Sequence, residues 1–312
     1  MQVLHTSVVE PAEIDALGHM NVRYYQSRAL AANQALMDKL GLDPESCARR
    51  GALLINEDVY CRYHREQFVG ATITVRGGVL EAGPERLRLF FELANDAKGE
   101  VAATFIIVVG LTSRTSRVRM SIPQETLAAA QAHQVALAAH GAPRTIDLST
   151  PRLDLAYDEV AARLQEEIAD PMSRRMTRVI DETSCDEYGF LSEREDMMFG
   201  HVRSTPKPDE KWGPMTFTTD EGHRFGWASL ETRNVRLEQP RAGETICSLG
   251  AEIGLHAKVR HSRRWIFNLT TGRLVSLNDN VAIALDLDAR RPIEIPTKVR
   301  SELDKRHLPE FA

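Results

Sequence analysis

The sequence predicts an α+β protein built as two copies of one plan, each an antiparallel sheet wrapped round a single central helix. Three observations carry this. The chain has 312 residues, too many for one ordinary core and about right for two domains or a doubled unit. One order of elements, strand, turn, helix and then several strands, reads twice along it. Punctuation marks also recur at one spacing. Gly70 and Gly243, Gly99 and Gly272, and Pro123 and Pro296 each stand 173 apart, and the turns Asp15 to Gly18 and Asp186 to Gly189 stand 171 apart. Four near-equal offsets at equivalent points of one element order indicate duplication.

In the first copy QVLHTSVV reads as a strand and IDALGHMNVRYY as a turn entering a helix. That helix begins near Asn21 and runs on through RYYQSRALAANQALMDKLG, with Ala, Leu and Met at helical spacing. Gly41 stops it and Pro44 follows. LLINEDVYCRYHR, TITVRGGVL, RLRLFFELAND and VAATFIIVVGLTS are strand-like, with NDAKGE as a hairpin. In the second copy VIDETSCDEYGFLSEREDMMFGHV gives strand, acidic turn and helix. Met197, Met198 and Phe199 form the apolar side of that helix, and Pro206 cuts it short. WASLETRNVRLEQ, ETICSLGAEIG, RRWIFNLTT and LVSLNDNVAIALDLD follow as strands. Between the copies, the alanine-rich stretch Thr126 to His140 predicts a helix, and the proline-bearing stretch after it an extended connector. The expected division is 1–140 for the first domain, 141–171 for the connector and 172–312 for the second domain.

Composition narrows the function. A net charge of −5 and a pI near 6.1 argue against a nucleic-acid partner. No apolar run nears the roughly 20 residues that span a bilayer, and MQVLHTSVVEPAEID has no charged start leading into an apolar stretch, so no membrane partner or export is expected. Cys47, Cys61, Cys185 and Cys247 lie far apart with no C-x-x-C pair. They read as reduced thiols of a cytoplasmic protein, with no disulfide scaffold and no metal site. G-x-S-x-G, P-loop and G-x-G-x-x-G motifs are all absent, which argues against serine-hydrolase, nucleotidase and dinucleotide chemistry.

The chemistry concentrates at DALGHMN. Gly18 permits a tight turn, and Asn21 suits the N-cap of the helix that follows. A helix N-terminus offers unpaired N–H groups and partial positive charge, which can polarise a carbonyl or hold an oxyanion. Asp15 stands just upstream. A carboxylate beside a polarised carbonyl is the minimum equipment for attack on an ester or thioester, directly or through water. His19 is suited to hold substrate, orient water or share a proton. The same residues also suit a turn and a cap with no chemistry at all.

D-A-L-G-H-M-N-V-R-Y-Y resembles the D-x-x-G-H-(M/V)-N-x-x-(Y/F) signature of hotdog-fold acyl-CoA thioesterases of the 4-hydroxybenzoyl-CoA thioesterase-like group, and it sits between first strand and central helix as theirs does. YCRYHREQFVGATITV and the terminal ARRPIEIPTKVR are similar to later parts of that family. The resemblance covers most of residues 1–125 and returns more weakly over about 174–300, as in the double-hotdog thioesterases. It implies a double hotdog that hydrolyses an acyl-CoA to acid and CoA without metal or organic cofactor. It implies Asp15 as nucleophile or general base, His19 and Asn21 as support for substrate or water, and N–H groups around Arg23 and Tyr24, after Gly18, as the carbonyl-polarising site. It leaves a monomeric pseudo-dimer and a homodimer open. A non-catalytic acyl-CoA-binding protein and an acyl-ACP thioesterase are the alternatives. Hydratases of the same fold carry other His or Asp/His motifs.

The second copy departs from the signature, with Phe190 for His and Ser192 for Asn, so one working site is expected. Hotdog pairs bring strands of one unit towards the helix of the other. Glu231, Thr232, Arg233 and Asn234, an ETRN run in an apolar strand, are therefore substrate-contact candidates or a solvated edge. Glu57, on the corresponding strand of the first copy, is a secondary candidate, since the resemblance implies a strand carboxylate as base in some members. Basic runs at Arg114 to Arg119 and Lys258 to Trp265 suit CoA phosphates or solvated strand ends, and the insertion at 211–213 suits a lid.

Overall fold

The computed structural model describes residues 1–15, 17–164, 176–192, 216–218, 222 and 224–312. The chain divides into two compact units, Met1–Thr145 and Ile146–Ala312.

The first unit contains β1 (Gln2–Val8), α1 (Val22–Lys39), α2 (Pro44–Arg49), β2 (Ala52–Tyr63), β3 (Thr72–Ala82), β4 (Arg86–Asn95), β5 (Glu100–Ser113), β6 (Arg119–Met120) and α3 (Gln124–Gln131). Its antiparallel sheet has the order β1-β3-β4-β5-β2, with β6 beside β5. The central helix α1 starts where the sequence places it, because the Asn21 carboxamide accepts the Arg23 N–H at 3.1 Å. It ends before Gly41, whose φ of +75° suits glycine and few other residues. Tyr25, Ala29, Ala32, Leu36 and Met37 make its buried stripe. They share one core with Val75, Leu89, Phe91, Leu93, Phe105 and Ile107, alternate residues of β3, β4 and β5.

One expectation fails here. The helix foreseen to His140 stops at Gln131, and the chain runs on extended beside β3. β1 pairs with β3 only as far as Gly77, which leaves the next edge groups of β3 in need of partners. The Val79 N–H donates to the His133 carbonyl at 2.8 Å and the Val135 N–H to the Val79 carbonyl at 2.9 Å. Gly78 permits the approach, since a Cβ there would lie 2.4 Å from the His133 oxygen. Edge satisfaction outweighs the helical propensity of the alanines.

The second unit contains α4 (Tyr157–Ala161), β7 (Met176–Val179), β8 (Thr216–Thr218), β9 (Arg224–Arg236), β10 (Thr245–Leu255), β11 (Val259–Asn268), β12 (Arg273–Asp286), β13 (Arg291–Pro292) and α5 (Thr297–Asp304). Its strand order, β9-β12-β11-β10-β7, is the first unit's order read from the other end. Three β-bulges repeat at the spacing of the glycine and proline pairs, at Glu57 and Leu230, Leu80 and Ile253, and Ala102 and Val275. Pro123 and Pro296 are the N-caps of α3 and α5, and Gly70 and Gly243 share φ values of +81° and +82°. Matching irregularities are a stronger mark of duplication than matching strands, because bulges are specific local features. The helix foreseen after Asp186, with Met197, Met198, Phe199 and the break at Pro206, lies outside the described residues, as does the insertion at 211–213. All four cysteines are free thiols.

Candidate active site

The Asp15 turn is tied by its own backbone. The Gly18 N–H donates to the Asp15 carbonyl and the Asp15 N–H to the His19 carbonyl, both at 3.0 Å. Gly18 takes a φ of +83°, where a side chain would be strained. The turn is pinned to its surroundings by Met20 N–H to Gln67 O at 2.8 Å and Asn21 N–H to Glu13 O at 2.9 Å.

These bonds gather the side chains. Asp15 Oδ1 accepts the Leu17 N–H at 2.9 Å, and Oδ2 accepts Asn21 Nδ2 at 3.1 Å. Asn21 therefore holds the carboxylate with one end of its amide while capping α1 with the other. His19 Nδ1 lies 3.8 Å from Asp15 Oδ1, and its Nε2 lies 3.5 Å from Glu66 Oε1. The Asp15 and His19 side chains are only 11% and 12% exposed, so their interactions are poorly screened by water. Glu66 was not foreseen, since it lies outside the motif and reaches His19 only through the fold. Its segment is fixed on both sides: the Tyr25 hydroxyl donates to the Arg65 carbonyl at 3.0 Å, and Asn95 Nδ2 donates to Gln67 Oε1 at 2.8 Å. Burial pushes the Tyr25 hydroxyl above its usual range, so it remains a donor.

The helix N-terminus is more selective than the sequence suggests. The Arg23 N–H is used by Asn21 Oδ1, and the Tyr24 N–H by the Asn21 carbonyl at 2.9 Å. The polarising donors foreseen at Arg23 and Tyr24 are thus engaged in capping. Among the described residues the Val22 N–H has no acceptor, which makes it the open donor of this helix start. Behind it, Arg28 is 4% exposed. Its guanidinium meets Glu13 at 2.7 Å, Ser7 Oγ at 2.8 Å and the Val8 carbonyl at 3.0 Å. Burial acts to raise the Glu13 carboxyl, but its bonds to Arg28 and Glu10 prevail and hold it below the usual range. This buried pair fixes α1 against β1 and the chain entering the turn.

Three foreseen contact residues are engaged elsewhere. Glu57 binds Arg86 at 2.8 Å and Arg119 at 2.6 Å. Arg86 alternates with core-facing Leu87 along β4, which puts this pair on the sheet face away from α1. Both oxygens of this carboxylate are thus engaged by guanidiniums. Glu231 and Arg233 are 3% and 4% exposed, not a solvated edge. Glu231 accepts the Ile146 N–H at 3.3 Å, and Arg233 donates to the carbonyls of Asp147 at 2.6 Å and Ser149 at 3.0 Å. They anchor the start of the second unit to its sheet. The basic runs are likewise partly internal: Arg119 serves Glu57, and Arg263 binds Asp279 at 2.9 Å. Among the described residues no three His, Cys, Asp or Glu side chains are grouped to hold a metal ion.

Residues 9–130 match the sequence model of the Thioesterase-like superfamily, a stretch that contains the whole Asp15 turn, α1 and the five-stranded sheet after its first strand. No curated protein matches the chain. In fold the chain is similar to the 12:0-ACP thioesterase from Umbellularia californica, with a TM-score of 0.61, 11% identity, and 90% of this chain and 96% of that one covered. It is also similar to an acyl-ACP thioesterase from Bacteroides thetaiotaomicron VPI-5482, with a TM-score of 0.57, 9% identity, and 89% and 96% covered. The fold is therefore the double hotdog, and the resemblance read from the start of the chain stands. No helix among the described residues is long and apolar enough to cross a membrane.

Proposed function

We propose that the chain is a thioester hydrolase that cleaves an acyl-CoA to the free acid and CoA at the Asp15 turn. The observation that carries this is one cluster: a poorly exposed carboxylate held by Asn21, a histidine beside it, and an open N–H at the start of an 18-residue helix. The thioester carbonyl takes the Val22 N–H, where the helix dipole favours the negative charge that develops on oxygen. Asp15 either takes a proton from a water that attacks the carbonyl carbon, or attacks that carbon itself to give an acyl-aspartyl anhydride that water then hydrolyses to the acid and the free carboxylate. The C–S bond breaks, and the sulfur leaves as the thiol with a proton relayed through His19. Glu66 stands 3.5 Å from the far nitrogen of His19, where it helps to orient the ring.

CoA as the thiol carrier rests on the signature's resemblance. A carrier-protein ester is the second reading, favoured by whole-chain fold likeness to two proteins described as ACP thioesterases. Thiol release with Ellman's reagent tests both, over short, long, aromatic and charged acyl-CoA esters and the matching acyl-ACP esters. Release from CoA esters that disappears in Asp15→Ala supports the first reading. Release from carrier-protein esters alone supports the second, and tight binding without release supports a non-catalytic binding protein.

A further inference from the structure

An acyl-CoA brings a purine and phosphate groups as well as a thioester. Each basic run of the sequence spends an arginine inside the fold, Arg119 on Glu57 and Arg263 on Asp279. The surface beside the Asp15 turn offers other groups. The chain between β2 and β3 leaves Arg65, Phe68 and Val69 exposed, the last two at 42% and 55%. Phe68 follows Gln67, whose carbonyl accepts the Met20 N–H of the turn at 2.8 Å. The Gln67 side chain accepts Asn95 Nδ2 at 2.8 Å. Asn95 in turn closes the β4–β5 hairpin, accepting the Lys98 N–H on its carbonyl at 3.1 Å and on its carboxamide oxygen at 3.3 Å. Through this buried carboxamide pair the hairpin is fixed to the turn, and Lys98 Nζ comes to 5.7 Å from the centre of the Phe68 ring.

Neither cation of this surface faces a carboxylate among the described residues. Lys98 Nζ meets the Phe68 ring, and the Arg65 guanidinium donates to the His64 carbonyl at 3.0 Å. An exposed ring or lysine taken singly is ordinary, but the second unit makes the set specific. Backbone bonds establish which positions are equivalent. The His64 and Arg65 N–H groups both donate to the Ala102 carbonyl, as those of Leu237 and Glu238 do to Val275. Gln67 and Pro240 each accept an N–H of their turn, and the N–H groups of Lys98 and Thr271 each donate to an asparagine carboxamide. The second unit thus has Glu238 for Arg65, Arg241 for Phe68 and Thr271 for Lys98. Glu238 is paired with Arg273 at 3.2 Å, and Arg241 is stacked on Phe190 at 4.1 Å. The exposed ring and the two cations accompany His19 and Asn21, and they are absent where those are absent.

We propose that this surface receives the nucleotide end of CoA, with adenine stacked on Phe68 and the phosphates on Lys98 and Arg65. The proposal rests on the acyl-CoA reading of the Asp15 turn and names a second anchor for the same substrate. An aromatic face stacks a base. Lys meets phosphate as a point charge and Arg as a fork. A neutral acyl group gains nothing from two cations outside the turn, whereas a nucleotide engages both. On a chain of net charge −5, they also draw an anionic substrate to this turn rather than the other.

The test is calorimetric titration of the purified full chain with CoA and with adenosine 3′,5′-bisphosphate, the nucleotide alone. Both bind, and each displaces the other. Phe68→Ser weakens both by about tenfold. The double variant Arg65→Gln with Lys98→Gln weakens both by about tenfold or more. Raising salt from about 0.05 M to about 0.5 M weakens the parent more than the double variant. Asp15→Asn leaves nucleotide binding unchanged. A chain that binds the nucleotide through Phe68 and these cations yet hydrolyses no thioester therefore upholds this surface and overturns hydrolysis at Asp15. In thiol release, the preference in kcat/KM for an acyl-CoA over the N-acetylcysteamine thioester of the same acid falls about tenfold in the double variant. Absence of nucleotide binding, binding unaltered in Phe68→Ser and in the double variant, or a preference for CoA that survives the double variant overturns the proposal. Hydrolysis of carrier-protein esters without binding of the nucleotide overturns it as well and leaves hydrolysis at Asp15 standing.

Discussion

In both units a short 3-10 turn, Pro11–Glu13 in one and Glu182–Ser184 in the other, leads to an aspartate whose carbonyl accepts a glycine N–H at 3.0 Å. The next bonds match as well: Asn21 N–H to Glu13 O and Ser192 N–H to Ser184 O, Met20 N–H to Gln67 O and Leu191 N–H to Pro240 O. The side chains match in one bond, the aspartate Oδ1 to the N–H two residues on, and differ in the rest. Asp15 shares its two oxygens between the Leu17 N–H and the Asn21 amide. Asp186 Oδ1 accepts two backbone N–H groups, of Tyr188 at 2.9 Å and Phe190 at 3.2 Å. Phe190, in the place of His19, is 4% exposed and lies under the Arg241 guanidinium at 4.1 Å. The difference teaches that the aspartate serves the turn first. In each unit its side chain bonds backbone N–H groups of its own turn, and in the first a histidine and an asparagine also stand against it.

The comparison breaks most visibly if the wrong aspartate matters. Asp15→Asn, which keeps the turn's acceptor, lowers thiol release by about 10³-fold or more, in the range lost with general-base or nucleophilic groups, while Asp186→Asn stays within about twofold. Steady-state kinetics on the two variants decides this. His19→Phe makes the first turn resemble the second. The fold survives, as Phe190 shows, and kcat falls by about 10²- to 10⁴-fold. Asn21→Ser retains a good helix cap but frees one oxygen of Asp15. It costs up to about 10²-fold in rate through misplacement of the carboxylate with little change in thermal stability.

Smaller effects separate structure from chemistry. Glu57→Gln leaves Arg86 and Arg119 without their carboxylate and destabilises the chain by about 1–3 kcal/mol, read by denaturant unfolding, with thiol release within about twofold of the parent. The smallest effect concerns His64, whose counterpart in the second unit is Leu237. Burial, with Arg62, His140 and Arg65 nearby, lowers His64 to about 4. Its folded pKa lies below the unfolded value near 6.5, so the unfolded chain takes the proton first. Stability is complete above about pH 6.5 and declines as the pH falls towards about 4. A melting-temperature series for His64→Gln declines less than the parent over that window.

The duplication was legible because glycines and prolines mark backbone geometry that sequence preserves, and the cap of α1 because Asn21 acts on its own neighbours. The two turns were equally legible, down to the loss of His and Asn from the second. What escaped notice depends on contacts between distant residues. Glu66 reaches His19 only once the chain after β2 is fixed by Tyr25 and Asn95. Glu57 sits at a bulge, which periodicity alone does not place, and it faces arginines of β4 and β6. The alanine stretch after Gln131 followed an unpaired edge of β3 instead of its helical propensity. Glu231 and Arg233 resembled a solvated edge because the backbone they hold, at Ile146 to Ser149, lies far earlier in the chain.

The most direct test of the central claim is a side-by-side thiol-release assay of the parent chain, Asp15→Asn and Asp186→Asn over the acyl-CoA and acyl-ACP panels. The account predicts turnover of at least one thioester by the parent, its loss by about 10³-fold in Asp15→Asn, and its retention in Asp186→Asn. Turnover that survives in Asp15→Asn, or that fails in Asp186→Asn with the fold intact, contradicts it.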